Sequence, residues 1–117
     1  MIKKHSIENY LDDIIKAIDD IFTFIKDMDI NQFEVDRKTY FAVIQRFSTI
    51  GEAVKKVPDK IRVQYPSVSW KTIAGMRDNL IHDYFDIECE LIWKTIQNDL
   101  VVLKSQILEI IKNIDTI

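Results

Sequence analysis

Residues 77–85 read Arg-Asp-Asn-Leu-Ile-His-Asp-Tyr-Phe, a short stretch rich in side chains that can do chemistry. The guanidinium of Arg77 is permanently charged and shaped to bind phosphate. The imidazole of His82, one of two histidines in the chain, gains and loses a proton near neutral pH. Asp78 and Tyr84 lie close by in sequence. An arginine and a histidine together can cleave a phosphodiester without a metal ion.

The same residues also fit a structural role. A histidine at a helix end often interacts with a backbone carbonyl or with the helix dipole. An arginine beside Asp78 on a helix is usually part of a surface ion pair worth less than about 1 kcal/mol. Spacing alone therefore leaves open both a catalytic pair and a charged corner of a helical protein.

Composition indicates one folded, soluble domain over residues 1–117. The chain is 47% hydrophobic and 30% charged, with two glycines and two prolines, so long uninterrupted elements are expected. The single cysteine, Cys89, excludes an internal disulfide. No apolar run approaches the roughly 18 residues of a membrane span, and the start of the chain lacks the apolar core of a signal peptide. The sequence predicts a cytoplasmic protein.

Charge is unevenly distributed along a chain whose net charge is −3. Residues 37–77 contain nine basic residues and two acids, a net charge of +7, which leaves −10 for the rest of the chain. A basic surface near a phosphate-handling pair would help to capture RNA. Charge also varies along many helical proteins, so the pattern permits nucleic acid without requiring it.

Three segments repeat apolar residues at alternating spacings of four and three, which predicts helices packed in a bundle. The first stripe consists of Ile7, Leu11, Ile14, Ile18, Ile21, Ile25 and Met28. The second consists of Val43, Phe47, Ile50, Val54 and Val57. The last consists of Ile96, Leu100, Leu103, Ile107, Ile110 and Ile114. Ser6 could cap the first helix, but Asn9 is not the Glu or Gln of a capping box, so the predicted start near residue 6 depends mainly on the stripe. Asp36 is a plausible N-cap of the second helix, and Pro58 is a predicted stop for it.

A further helix is predicted to open at Trp70, with Ser69 as its cap, and to run through Ile73 toward residue 80. A short helical turn over residues 59–63 precedes it. The fold class is therefore all-α: an up-and-down four-helix bundle with one short extra helical turn.

On an ideal helix, Arg77 and His82 would lie about 140° apart around the axis. Asp78 and His82, four residues apart, would share a face, so Asp78 can orient the imidazole. Two arrangements bring Arg77 and His82 together: either the helix ends near His82, or the site forms across a symmetric dimer. In the dimer, two copies of His82 would share one cleft and could serve as base and acid. Arg77 would neutralise charge on the phosphoryl oxygens.

The ordered motifs resemble a known family. Arg77, His82 and Tyr84 match the R-x4-H-x-Y signature of the HEPN superfamily, and specifically of the HepT-like toxins of HEPN/MNT toxin–antitoxin systems. The similarity extends to residues 50–53 (Ile-Gly-Glu-Ala), to the 65–70 connector from Tyr-Pro to Trp, and to the residues that precede and follow the signature.

The resemblance implies a homodimeric helical domain that cleaves RNA without a metal or other cofactor. It implies that Arg77 and His82 are the catalytic pair and that Asp78 supports them. Tyr84 matches the tyrosine that a nucleotidyltransferase antitoxin modifies with AMP, using ATP.

The leading hypothesis is thus a metal-independent endoribonuclease toxin that is neutralised by AMPylation of Tyr84. A second hypothesis is a non-catalytic helical module that accompanies a nucleotidyltransferase, and a third is a structural bundle whose polar corner seals a dimer interface.

Overall fold

The computed structural model describes residues 4–75 and 89–114, and almost all of these residues are helical. The helices are α1 (Lys4–Phe24), α2 (Ile30–Val35), α3 (Arg37–Lys55), α4 (Asp59–Gln64), α5 (described over residues 70–75), α6 (Cys89–Lys94) and α7 (Leu100–Lys112). A π-helical segment, Thr95–Asp99, joins α6 to α7 without a break. These two ranges contain no β-strand. The predicted all-α fold class is confirmed.

α1 lies antiparallel to α3 and packs beside α7, as three contacts show. The ammonium of Lys56 near the end of α3 lies 5.6 Å from the ring centroid of Tyr10 near the start of α1. Further along α1, Asp20 meets Arg46 of α3 at 3.5 Å, and Asp19 meets Lys104 of α7 at 2.7 Å. The predicted antiparallel arrangement of neighbouring long helices is therefore present for α1 and α3.

The core is built from the apolar stripes that the sequence predicted. Every member of the second and last stripes is buried, and so are the five central members of the first. Ile7 is only partly buried, and Met28 lies beyond the end of α1. Burying a large aliphatic side chain contributes about 1.5–3 kcal/mol relative to leaving it exposed, so these stripes dominate the stability of the bundle.

The start of the first helix differs from the prediction. α1 already includes Lys4, so Ser6 lies inside the helix and the expectation that it is an N-cap is wrong. The strong apolar stripe extends the helix past this residue, since serine carries only a modest helix penalty. The other signals are confirmed: Asp36 caps α3 through the amide of Thr39, and α3 ends before Pro58, which precedes α4.

A short helix that the sequence analysis did not predict, α2, lies between the first two long helices. Asp29 and Gln32 form a reciprocal capping box, in which each side chain accepts from the other's backbone N–H, at 2.8 and 2.9 Å. Phe33, buried in this helix, packs against Tyr40 of α3 and Trp93 of α6, with centroid distances of 5.6 and 5.4 Å. α2 therefore ties α3 to α6 at one end of the bundle.

None of the helices within residues 4–75 and 89–114 combines the length and the apolar character that a membrane crossing would need.

Candidate active site

The four predicted site residues, Arg77, Asp78, His82 and Tyr84, lie outside the described residues. What the structure shows is how the chain is fixed on either side of them. α5 leads into the signature, and α6 follows it in the sequence. The proposed catalytic pair, its support by Asp78 and the modification of Tyr84 therefore remain predictions.

α5 is fixed in the core by two buried residues. Trp70 is 6% exposed and Ile73 is 8% exposed, and the indole N–H of Trp70 donates to the carbonyl oxygen of Tyr65 at 3.0 Å. The helix begins as the sequence predicted, because the amide of Ile73 donates to the carbonyl oxygen of Ser69 at 2.9 Å. These contacts set both the position and the rotation of the helix that leads to Arg77.

Gly75 is the last described residue of α5. Apart from the backbone of its own helix, a Cβ atom built on it would meet no atom of residues 4–73 or 89–114 within 4 Å. Close packing against these described residues therefore does not explain the glycine at this position of the motif.

α6 is fixed at the opposite side of the signature. Ile92 is buried, and Trp93 packs on Phe33 as described above. Cys89 is half-buried, and desolvation by burial raises the pKa of its thiol, with the nearby carboxylate of Glu34 adding to the effect. Cys89 therefore stays protonated at neutral pH.

The π-helical segment that follows α6 is a local irregularity near α5. A π-turn widens the helix by one residue and is often found at functional sites. Within it, the hydroxyl of Thr95 donates to the carbonyl oxygen of Leu91 at 2.9 Å. No sequence signal pointed to this turn, because Ile96 and Leu100 are four residues apart, as on an ordinary helix face.

A shallow cleft of about 270 Å³ separates α5 from the start of α7. Thr72 and Ile73 line one side, and Asp99 and Leu103 line the other. Gln106 donates to the carbonyl oxygen of Ser67 at 3.2 Å and joins α7 to the connector before α5. No motif in the sequence pointed to these residues. Within the described ranges, no three His, Cys, Asp or Glu side chains lie together as metal ligands would.

The basic segment proves to be divided between structural and exposed cations. Arg46 pairs with Asp20, and the guanidinium of Arg37 lies 5.3 Å from the ring centroid of Phe41. Arg62 donates to the carbonyl oxygens of Val54 and Val57, at 2.7 and 3.0 Å. Arg46 joins α3 to α1 and Arg62 joins α4 to the end of α3, so guanidinium donors of these two arginines are engaged within the fold, although their positive charge remains.

Glu52, which follows the buried Gly51 in α3, is exposed. Its carboxylate lies 3.8 Å from the ammonium of Lys55.

Comparisons with known proteins identify the family. A sequence model described as "Ribonuclease HepT-like" matches residues 14–110. A Methanocaldococcus jannaschii protein named "Putative RNase" is 41% identical over 112 residues, covering 96% of this chain and 97% of that protein. A second protein with this name from the same organism is 42% identical over 112 residues, covering 96% and 93%. "Probable ribonuclease HepT" of Thermococcus cleftensis is 40% identical over 103 residues, covering 88% and 94%.

No solved structure gave a significant match to the chain. The family match spans most of the sequence, including the whole of the signature from residue 77 to residue 84. The chain belongs to the HepT-like ribonuclease family.

Proposed function

We propose that this protein is the endoribonuclease toxin of a toxin–antitoxin pair and that it cleaves RNA without a metal ion. The observation that carries the proposal is the R-x4-H-x-Y signature at Arg77, His82 and Tyr84, inside the region matched by a ribonuclease family. The relatives at about 40% identity bear ribonuclease names and align over nearly the whole chain.

In the proposed reaction, one His82 imidazole removes the proton from a ribose 2′-hydroxyl, whose oxygen attacks the adjacent phosphorus. The bond from phosphorus to the 5′-oxygen breaks, and a second imidazole returns a proton to that oxygen. The products are a 2′,3′-cyclic phosphate and a free 5′-hydroxyl. Arg77 neutralises the charge that grows on the phosphoryl oxygens, and Asp78 orients the imidazole.

Two imidazoles are needed, and each chain supplies one within the signature. We therefore propose a homodimer in which the two copies of His82 share one cleft. Within each subunit, α5 and α6 are fixed in the core by Trp70 and Ile92 on either side of the signature. The two ends of the segment that carries the signature are therefore fixed, and a preorganised site requires such support.

The proposed antitoxin is a nucleotidyltransferase that transfers AMP from ATP to the hydroxyl of Tyr84 and releases pyrophosphate. An anionic nucleotide two residues from His82 would repel the RNA phosphates and fill the cleft. A Tyr84→Phe variant should resist this neutralisation while it retains RNA cleavage. Tyr10→Phe is the matched control and should gain AMP and lose activity like the unsubstituted protein, as measured by intact mass and by RNA cleavage.

The catalytic assignment is tested by substitution. Purified protein should cut single-stranded RNA in the presence of EDTA, and Arg77→Ala and His82→Ala should each lower the rate by at least about 100-fold. Arg37→Ala and His5→Ala, which change the same residue types elsewhere, should keep the rate. Cleavage by either signature variant at the unsubstituted rate would refute the assignment.

A further inference from the structure

One end of the bundle carries a cluster of basic residues that the proposed reaction does not use. Here α3 ends, α4 begins and the start of α1 lies alongside, as the contact between Lys56 and Tyr10 shows. The cluster, called the basic end below, consists of Lys55, Lys56, Lys60 and Arg62. Tyr10, Asp59 and all of these except Lys60 line a shallow recess at this end.

The lysines and the arginine of the basic end have different roles. The Nε and Nη2 groups of Arg62 both donate to backbone carbonyl oxygens at the end of α3. Lys56 and Lys60 are exposed. A lysine ammonium is a compact charge on a flexible stem, so exposed lysines can follow an irregular chain of phosphates. The positive charge of Arg62 adds to the local potential from a fixed position.

Two segments at opposite ends of α3 differ in charge. Residues 52–62 contain four cations and two acids, for a net charge of +2. Residues 26–38, around α2 and the start of α3 at the other end, contain three cations and four acids, for a net charge of −1. Residues 52–62 are thus locally positive on a protein whose overall charge is −3, and a polyanion is attracted to a positive segment.

We infer that the basic end is a secondary binding site for the sugar–phosphate backbone of single-stranded RNA, with Lys56 and Lys60 as its main phosphate contacts. The inference rests on the proposed action on RNA. α4 and the 65–69 connector join this end to α5, which precedes the signature in the sequence. Phosphate contacts position a strand without reading its sequence.

The test measures RNA affinity separately from cleavage. A fluorescently labelled single-stranded RNA is titrated with His82→Ala protein, which leaves the RNA intact, at several salt concentrations. Adding Lys56→Gln and Lys60→Gln to this protein should weaken RNA binding by about tenfold at low salt, because two phosphate contacts are lost. Each lost contact should also reduce the steepness of log affinity against log salt concentration by about 0.7 for single strands.

The matched control removes the same charge at the other end. Lys26→Gln with Lys38→Gln changes two exposed lysines and should leave affinity within about twofold. Lys56→Arg with Lys60→Arg keeps the charge and should bind like the parent. Thermal unfolding of each variant shows whether loss of the Lys56–Tyr10 contact has affected the fold.

Equal affinity and equal salt slope for the two glutamine pairs would overturn the inference, as would an absence of RNA binding by the parent protein. Loss of binding in the Lys56/Lys60 pair alone would support it. The proposed catalysis fails separately: if unsubstituted protein binds RNA through these lysines but never cleaves it, the nuclease proposal is refuted and the basic end remains an RNA site.

Discussion

Arg62 ties α4 to the end of α3, and replacing it with methionine tests whether this contact stabilises the bundle. The side-chain Nε donates to the carbonyl oxygen of Val57 at 3.0 Å, and Nη2 donates to that of Val54 at 2.7 Å. Methionine keeps much of the aliphatic stem and removes the guanidinium, so the substitution isolates the hydrogen bonds and the charge.

The expected loss follows from the two acceptors. Hydrogen bonds from a charged donor contribute about 1.5–3 kcal/mol, and partly exposed ones lie at the lower end. In the variant, the Val54 carbonyl oxygen still accepts a hydrogen bond from the amide of Val57 at 3.1 Å. The Val57 carbonyl oxygen loses its bond from Arg62 and must accept from water instead. The cation also lies at the C-terminal end of α3, where it is stabilised by the helix dipole. We expect Arg62→Met to lower the free energy of unfolding by about 2 kcal/mol and the melting temperature by about 8 °C.

Urea unfolding followed by far-ultraviolet circular dichroism measures this loss at a fixed protein concentration. Lys60→Met is the matched control, because Lys60 is an exposed cation in the same short helix, and its effect should stay within about 0.5 kcal/mol. If Arg62→Met proves as stable as Lys60→Met, the structural role assigned to Arg62 is refuted.

Three other outcomes are expected. Hydrogen bonds from the amide and hydroxyl of Thr39 lower the pKa of Asp36. The ionised carboxylate therefore stabilises the fold above about pH 4, and this stabilisation is lost as the pH falls through the depressed pKa of the folded state. Asp36→Asn should make the free energy of unfolding fall less steeply in acid, and an unchanged pH profile would contradict this. Trp70→Phe removes the donor to Tyr65 and part of a buried ring, so urea unfolding should show a loss of about 2 kcal/mol, and no loss would mean that α5 is fixed in another way. Exchanging unsubstituted subunits with a tenfold excess of His82→Ala should reduce cleavage per active subunit to about a tenth if both imidazoles are required, whereas unchanged cleavage would contradict the shared site.

The sequence predicted the core well because burial in helices follows a short period. The stripe from Ile96 to Ile114 is buried at every predicted position, even though a π-turn interrupts the helix that carries it. That turn depends on packing between distant elements and leaves no mark on the apolar spacing. α2 was missed for a different reason: six residues are too few to show a period, although Asp29 and Gln32 form a capping box that can be read from sequence.

The candidate site was predicted through residue types rather than through structure. The phosphate-handling chemistry of Arg77 and His82 is inherent in their side chains, but their mutual geometry lies outside the described residues. The basic segment shows that spacing along the sequence cannot reveal which cations are paired in the fold. Arg46 and Lys60 contribute the same charge to a count, yet Arg46 pairs with Asp20, 26 residues away in sequence, and only the fold reveals that pairing.

The most direct test of the central claim uses two RNA strands of one sequence in EDTA, one of them with a single 2′-deoxyribose on the 5′ side of the cleaved linkage. Attack by the 2′-hydroxyl predicts that the all-ribose strand is cut to a 2′,3′-cyclic phosphate and a 5′-hydroxyl, while the substituted strand stays intact at that position. Equal cleavage of both strands, or cleavage that appears only when a divalent metal is added, would contradict the mechanism assigned to Arg77 and His82.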